Sequence, residues 1–329
     1  MTTPESMKAA FIRETGGPEL IRFDDLPSPE PGPTDVLVRL EASEVNHVDL
    51  FVRSGAYQTS TPFPFVIGRD LVGTVERMGP SVTGLSPGDR VWTNSMGVDG
   101  RQGTWAEFSV VPSDRLYRLP EGVDPQHAAA VLHGAATAHV GLFRGAGLRP
   151  GETLFVGGAA GAVGTSLVQM ASAFGVRVIA TASPRDHDWC IRCGAEAVFD
   201  YHSGSLPEEL RDAAPSGYDV WWDTSGHHDF KMCLPLMRPG GSVVVMSGIA
   251  TTTKLPVGEL YTRDISLRGF AISNASVDDL AAAARTINSL LARGVLKTPI
   301  GKVLGLEQAP KAHQLMADRT VSGRIVIRP

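Results

Sequence analysis

The chain has 329 residues, of which 43% are hydrophobic and 20% are charged, and its formal net charge is -5. This length suffices for two domains, and the composition is typical of an ordinary globular protein. The mild negative charge and the absence of a basic stripe argue against nucleic acid or an anionic membrane as a partner.

The first third of the chain is rich in short apolar runs separated by proline and glycine. No signal-peptide core follows the polar residues 1–8, and no apolar run reaches the roughly 20 residues of a membrane span, so a cytoplasmic location is expected. The runs at 35–40, 71–76 and 105–110 have the β-branched and aromatic content of strands. Many short strands without intervening helices predict a β-rich, barrel-like domain.

The pattern changes after about residue 123 to an alternation of helices and strands. An alanine-rich helix is predicted at 125–141. Strands are predicted at 153–156, 177–180, 197–199, 218–222 and 242–246, with helices between them. This alternation predicts an α/β domain with a doubly wound parallel sheet. A helix at 278–293 and a closing strand at 323–327 follow, and we expect this tail to return to the first domain because the parallel sheet is then complete.

The chain contains three cysteines, and two of them have C-x-x-C spacing. Cys190 and Cys193 could form a redox pair or half of a metal site. No second pair and no histidine at zinc-finger spacing completes a metal site. The segment has the composition of a helix that stops at Gly194, so we interpret both cysteines as helix residues.

A glycine loop lies directly between the strand predicted at 153–156 and the helix after it. Phosphate binding requires close approach to the backbone and free N–H groups at a helix start, and glycines in the turn permit both. The residues predicted to bind the diphosphate of a dinucleotide are Gly158, Gly161, Ala162, Val163 and Gly164. The alternative is a glycine turn that serves only strand–helix packing.

The end of the next strand favours NADPH over NADH. Sites for NAD usually carry an acidic residue there, which binds the ribose 2′-hydroxyl. This strand is followed by Ser183 and Arg185, with no carboxylate before Asp186. A serine and an arginine suit a 2′-phosphate. The alternative makes Arg185 a solvated surface charge.

Nine short motifs occur in a fixed order along the chain. They are NHVDL at 46–50, RSGAY at 53–57, PFPFVIG at 62–68, GTVE at 73–76, PGDRV at 87–91, GAAGAVG at 158–164, DTSG at 223–226, PGG at 239–241 and SGR at 322–324. In these motifs the chain resembles the zinc-free quinone oxidoreductases, the zeta-crystallin-like family of medium-chain dehydrogenases/reductases. The resemblance implies a GroES-like β-rich catalytic domain, residues 1–124 and 271–329, and a Rossmann dinucleotide-binding domain, residues 125–270.

The resemblance also bears on metal binding. Zinc members of the superfamily have a cysteine at the position of Asn46 and a histidine at the position of Arg69. Neither asparagine nor arginine supplies the thiolate or imidazole that zinc prefers. No cysteine precedes Cys190, so the four-cysteine lobe of zinc alcohol dehydrogenases is also missing. No metal site is predicted.

Similar reductases pass a hydride from nicotinamide to a quinone or to the β-carbon of an activated alkene, while the protein positions the substrate and stabilises its oxygen. Asn46 and Tyr57 are the candidate catalytic residues, with Tyr57 as a proton donor. The alternatives are an Asx-turn role for Asn46 and simple loop packing for Tyr57. Beyond the residues above, the candidate cofactor contacts are Asn46, Thr137, Tyr201, Ser247, Phe270 and Arg324.

The predicted function is therefore NADPH-dependent reduction of a quinone or enone. Two alternatives stay open: an NADPH-binding protein with a structural or regulatory role, and an enoyl-thioester reductase. A short-chain reductase is excluded because none of the five tyrosines begins a Tyr-x-x-x-Lys motif. The resemblance also implies a homodimer that pairs through an exposed strand of the Rossmann sheet.

Overall fold

The computed structural model describes residues 3–329, which form two compact units. The first unit comprises residues 3–133 and 298–329, and the second comprises residues 134–297. The strands of the first segment are β1 (Ser6–Ile12), β2 (Arg22–Pro27), β3 (Asp35–Glu44), β4 (Phe65–Val66), β5 (Leu71–Met78), β6 (Arg90–Thr93), β7 (Phe108–Pro112) and β8 (Tyr117–Arg118). Helix α1 (His47–Ser54) lies between β3 and β4.

Helix α2 (Pro125–His139) begins in the first unit, and a π-helix, Val140–Ala146, continues it in the second. The second unit then alternates strand and helix. Its elements are β9 (Thr153–Gly157), α3 (Ala162–Ala173), β10 (Arg177–Ala182), α4 (His187–Arg192), β11 (Ala197–Asp200), α5 (Leu206–Ala213), β12 (Tyr218–Asp223), α6 (Phe230–Leu236), β13 (Met237–Val245), α7 (Val257–Tyr261), β14 (Ser266–Gly269) and α8 (Val277–Ala292).

The six strands of the second unit form one parallel sheet in the order β11-β10-β9-β12-β13-β14. Numbered along the chain, this is the 3-2-1-4-5-6 order of the Rossmann fold. The predicted doubly wound sheet is confirmed. Trp221 stacks on Phe155 with ring centroids 3.7 Å apart, while Trp222 contacts Phe270 edge-on at 5.7 Å. Because side chains alternate along a strand, the two tryptophans cover opposite faces of the sheet.

The chain returns to the first unit through β15 (Ile300–Gly305), α9 (Ala309–Ala317) and β16 (Arg324–Arg328). Strand β16 pairs with β3 and extends a seven-stranded sheet, and a second sheet has the order β2-β1-β4. The tail therefore joins the β-rich unit, as the sequence predicts.

Helix α8 belongs to the second unit, so the observed boundary at 297 differs from the predicted boundary at 270. Asp279 of α8 accepts from Arg144 Nη1 at 2.7 Å. Gln169 of α3 exchanges two hydrogen bonds with the backbone of Lys297, at 2.8 and 2.9 Å. These contacts join residues that are far apart in sequence, and the hydrophobic periodicity of α8 does not predict them.

The register of β3 and β5 positions the site of the first unit. Ala42 pairs with Val72, so the residues after β3 and the residues before β5 lie side by side. The wholly buried Trp105 packs under this turn, where a Cβ on Gly68 would lie 2.1 Å from the indole. Gly68 also has a φ of +96°, which an L side chain rarely adopts. Among residues 3–329, no helix has the length and apolar character to cross a membrane.

Candidate active site

The carboxyl edge of the parallel sheet gathers the predicted nucleotide-binding loops. The loop after β9 contacts the end of β10, because Ala159 N–H donates to Thr181 O at 3.0 Å. It also contacts the residue after β12, where Thr224 Oγ1 donates to Gly157 O at 2.8 Å. This edge is where open parallel sheets bind their ligands.

The glycine loop is closed too tightly for larger residues. A Cβ on Gly164 would lie 2.3 Å from Gly158 O, and a Cβ on Gly134 of α2 would lie 2.6 Å from Ala162 O. Gly158 has a φ of +67°. Helix α3 begins directly after Gly161, so its first N–H groups lack intrahelical partners and are available to an anion. The loop therefore satisfies the steric and electrostatic requirements of a diphosphate site.

The end of β10 holds a carboxylate beside the predicted 2′-phosphate contacts. Ser183 Oγ donates to Asp186 Oδ2 at 2.7 Å. Arg185 is 81% exposed in its side chain, and its Nε lies 3.5 Å from the same carboxylate. The contact forms because a turn at Pro184–Asp186 brings the first carboxylate after β10 back onto the serine. Tyr201, another predicted contact, is half exposed beside His202.

Three other predicted cofactor residues lie in the second unit. Ser247 follows β13 at the carboxyl edge, and its Oγ is shielded from solvent with no hydrogen-bond partner among residues 3–329. A buried hydroxyl without a partner fits a ligand group at this edge. Phe270 follows β14 and contacts Trp222, and Thr137 is buried in α2.

In the first unit, Asn46 is held by two buried carboxyl groups. Asn46 lies between β3 and α1 and is only 5% exposed. Its Nδ2–H donates to Asp70 Oδ2 at 2.6 Å, and its backbone N–H donates to Asp49 Oδ2 at 2.7 Å. The β3–β5 register and the first turn of α1 thus fix both ends of this residue.

Asp70 is itself fully buried and strongly hydrogen-bonded. Its Oδ1 accepts the Glu44 backbone N–H at 2.7 Å and lies 3.0 Å from Ser43 Oγ. Thr104 Oγ1 donates to the Asp70 backbone carbonyl at 2.5 Å. Both carboxylate oxygens therefore act as acceptors, and the side chain has one orientation.

The two carboxyl groups and a buried arginine set the local charge. Burial, with a smaller contribution from the nearby Asp70, raises the pKa of Asp49 to about 8. Burial also raises the pKa of Asp70, but only to about 6, because hydrogen bonds and the charge of Arg69 oppose it. Near neutral pH, Asp70 is therefore the ionised member of the pair and Asp49 keeps its proton. Arg69 is 2% exposed and balances this charge.

Tyr57 and Arg324 complete the predicted residues of the first unit. Tyr57 follows α1, is partly buried against the core, and interacts electrostatically with Arg69. Arg324 is buried, with its Nε 3.2 Å from Thr298 Oγ1 and 3.9 Å from Glu44 Oε1. The structure therefore brings Asn46 and Tyr57 into the neighbourhood of Arg69, whereas Arg324 is engaged with other residues of its own unit.

The C-x-x-C pair belongs to helix packing. Cys190 lies in α4, Cys193 caps it, and both thiols are free and buried. Burial raises the pKa of Cys190 to about 12, which opposes thiolate chemistry. Among residues 3–329, no group of three or more His, Cys, Asp or Glu side chains is arranged to hold a metal ion.

Sequence reasoning missed Asp70, the anchor of Asn46. A usable signal was present, because Arg69 and Asp70 are two charges placed directly before the apolar run at 71–76. Charged residues at the start of a buried strand require partners. The partner itself could not be named, since it depends on the register of β3 with β5.

Comparison with known proteins gives the same two units. Residues 32–121 match the family described as "Alcohol dehydrogenase GroES-like domain", and residues 162–289 match "Zinc-binding dehydrogenase". A quinone oxidoreductase of Pseudomonas aeruginosa is 32% identical over 325 residues, which cover 95% of this chain and 97% of the relative.

Two solved structures are similar over 98% of this chain and the whole of the other. An NAD-dependent alcohol dehydrogenase has 32% identity and a TM-score of 0.88, and a mycobacterial protein complexed with NADPH has 29% identity and a TM-score of 0.85. The chain belongs to the quinone oxidoreductase family of medium-chain dehydrogenases/reductases, and it is an oxidoreductase.

Proposed function

We propose that this oxidoreductase uses NADPH to reduce quinones or activated alkenes without zinc. The observation that carries the proposal is the environment of position 46, where a buried amide is fixed by Asp70 and Asp49. Such an amide orients a substrate and does not act as a Lewis acid. Quinones and enones are already electrophilic, so orientation and stabilisation of their oxygen suffice.

The features that suit a dinucleotide cofactor lie in the second unit. The closed loop ending at Gly164, the N-terminus of α3 and the unpartnered Ser247 hydroxyl suit a dinucleotide along the carboxyl edge of the sheet. NADPH bound there would supply the hydride. The protein's own residues hold the diphosphate with backbone N–H groups and keep the nucleotide against the sheet.

Asn46 and Tyr57 are proposed to act on the substrate. They precede and follow α1, so one short rigid helix sets their separation. The Asn46 amide positions the reacting molecule, and the Tyr57 hydroxyl donates a hydrogen bond or proton to the reduced oxygen. Tyr57→Phe keeps the ring and removes the hydroxyl, and we expect kcat to fall by about tenfold or more. Tyr261→Phe, at a residue that is 70% exposed, is the matched control and should leave kcat unchanged.

The preference for NADPH rests on Arg185 at the end of β10, and the NADPH complex of a structural neighbour is consistent with it. The Asp186 carboxylate beside Ser183 works against the preference, because it would repel a 2′-phosphate. Arg185→Ala should therefore raise the KM for NADPH severalfold and leave the KM for NADH nearly unchanged. Equal effects on both cofactors would remove Arg185 from this role.

A homodimer is part of the proposal. Strand β14 is an edge strand of the parallel sheet, paired with β13 alone in the part of the chain that the structure describes. Large apolar side chains are exposed on β14 and on the neighbouring α7, namely Leu267, Val257 and Tyr261. An exposed edge with apolar residues is suited to pairing with a second copy.

The deciding experiment is NADPH oxidation against a benzoquinone, a naphthoquinone and an aliphatic enone, with an alcohol and NADP⁺ as the reverse test. We expect turnover of a quinone or enone that a chelator does not reduce. NADPH binding without turnover would favour a structural or regulatory role. Turnover of acyl thioesters alone would favour enoyl reduction, and alcohol oxidation that a chelator abolishes would refute the zinc-free mechanism.

A further inference from the structure

We propose that Asp70 is a positioning residue for the reaction, which fixes the orientation of the Asn46 amide toward the reacting molecule. This inference rests on the proposed function, in which Asn46 positions the substrate. It assigns a role in turnover to a residue that the motif pattern did not single out.

The geometry of the contact between Asn46 and Asp70 fixes the direction of the amide. Asn46 Nδ2 and Asp70 Oδ2 are 2.6 Å apart, and both residues are buried. An ionised carboxylate has no O–H group and can only accept hydrogen bonds. The amide nitrogen of Asn46, which is the donor, must therefore face it. The contact thus decides which edge of the amide carries the nitrogen and which carries the oxygen.

Asp70 itself is rigidly held. The other carboxylate oxygen accepts the Glu44 backbone N–H at 2.7 Å and lies 3.0 Å from Ser43 Oγ. Thr104 Oγ1 holds the Asp70 backbone carbonyl at 2.5 Å. Because Oδ1 accepts the Glu44 N–H and lies beside Ser43 Oγ, the carboxylate cannot follow a moving amide, and Asn46 is held in one orientation before any substrate arrives.

The bond between Asn46 and Asp70 goes beyond what the start of a helix requires. A solvent-exposed N-cap asparagine needs only its local backbone partners to start a helix. Asn46 forms a capping box with Asp49 at the start of α1, and its side-chain nitrogen donates in addition to a residue 24 positions away in the sequence. Burying a carboxylate is costly, and it is compensated here by an unusually complete set of donors. The result at the candidate site is that the Asn46 amide is oriented before a substrate binds.

The test begins with Asp70→Asn, which has nearly the same shape. A carboxylate accepts on both oxygens, but an amide accepts on only one. The Glu44 N–H and the Asn46 Nδ2–H then compete for one acceptor, and the Asn46 amide can turn over. We expect kcat for the best quinone or enone to fall between about ten- and a hundredfold, as misplaced groups cost. The KM and Kd for NADPH should stay within about twofold, because the glycine loop is intact.

Thr104→Val is the matched control. It removes a hydrogen bond from the same aspartate at its backbone carbonyl and leaves the bond between Asp70 and Asn46 in place. We expect this variant to lose some thermal stability and to keep kcat within about twofold of the wild-type value. An equal fall in kcat in both variants would show that general loosening of the turn causes the loss, and the positioning role would be refuted.

The exchanged pair Asn46→Asp with Asp70→Asn keeps the proposal testable if the single variant does not fold. In the pair, Asn at position 70 donates to Asp at position 46, while its oxygen accepts the Glu44 N–H. We expect the melting temperature to recover and kcat to stay at least tenfold low, because the amide is now on the wrong residue. Recovery of kcat together with stability would overturn the proposal and leave the contact a purely structural role.

The wild-type enzyme separates this proposal from the proposed function. If the wild type turns over no quinone or enone, the proposed function fails and the positioning role fails with it. If the wild type turns over a substrate and Asp70→Asn keeps full kcat, only the positioning role fails.

Discussion

The buried histidine of α9 gives a sharp prediction about acid stability. His313 is 0% exposed, and its ring meets Trp105 edge-on with centroids 5.1 Å apart. Neither ring nitrogen has a hydrogen-bond partner among residues 3–329. Burial, with a smaller contribution from the charge of Arg53, lowers the pKa of His313 from 6.5 to about 3. The folded protein therefore holds this ring in the neutral form.

The sign of the effect follows from the two pKa values. The unfolded chain binds a proton at His313 below about pH 6.5, but the folded chain does not until about pH 3. The stability contribution is complete above about pH 6.5 and is lost as the pH falls toward about 3. A pH of about 5 lies ~1.5 units below the pKa of this histidine in the unfolded chain. At ~1.4 kcal/mol for each pH unit, the free energy of unfolding falls by about 2 kcal/mol.

The assay compares the wild type with His313→Leu by urea unfolding, followed through tryptophan fluorescence at about pH 8 and about pH 5. Any packing difference between the two side chains is present at both pH values and cancels in the comparison. We expect the free energy of unfolding of the variant, relative to the wild type, to be about 2 kcal/mol higher at pH 5 than at pH 8. The effect belongs to the transition of the first unit, which contains His313 and Trp105.

His202→Leu is the control, because this histidine is exposed at the surface of the second unit. It should show no pH-dependent difference from the wild type. If His313→Leu shifts the unfolding midpoint equally at both pH values, the ring is protonated or hydrogen-bonded in the folded protein, and the reasoning from burial is wrong.

Three further predictions test the second unit. Gly164→Ala places a Cβ 2.3 Å from a backbone oxygen of its own loop and should weaken NADPH binding by about tenfold or more in fluorescence titration. Gly204→Ala, with no atom within 4 Å of the added Cβ, should leave binding unchanged. Asp186→Asn removes the negative charge beside Ser183 and should raise the ratio of kcat/KM for NADPH over NADH by severalfold; an unchanged ratio would place the carboxylate outside the 2′ subsite. Leu267→Lys places a charge on the edge strand β14 and should convert the proposed dimer to a monomer in light scattering, which a monomeric wild type would contradict.

Local patterns were enough to predict the parallel sheet. The strand predicted at 153–156 and the glycine loop after it are found at β9 and at the start of α3, because hydrophobic runs and turn glycines are local signals. The assignment of α8 to the second unit could not be predicted from local patterns. Its sequence gives a helix with a capping box at Ser276, but its place in the second unit depends on contacts such as that between Asp279 and Arg144.

The candidate site shows the same division. Asn46 was predicted from its motif, and the structure places it in a buried position. Its anchor, Asp70, follows only from the pairing of Ala42 with Val72, and a shift of this register would separate the two side chains. The contact between Ser183 and Asp186 depends on one short turn, Pro184–Asp186, whose conformation the sequence did not specify.

The charge balance around Asn46 favours orientation over electrostatic activation. Near neutral pH, the ionised Asp70 is offset by the buried Arg69, and Asp49 keeps its proton. An amide in this setting can accept or donate hydrogen bonds but cannot draw electrons from a neutral alcohol as a metal cation would. A substrate that is electrophilic before it binds needs hydrogen bonds that orient it and stabilise its oxygen, and it does not need electron withdrawal by a metal cation. The chemistry of position 46 and the proposed quinone or enone substrate thus support each other, and exchanging Asn46 with Asp70 tests both.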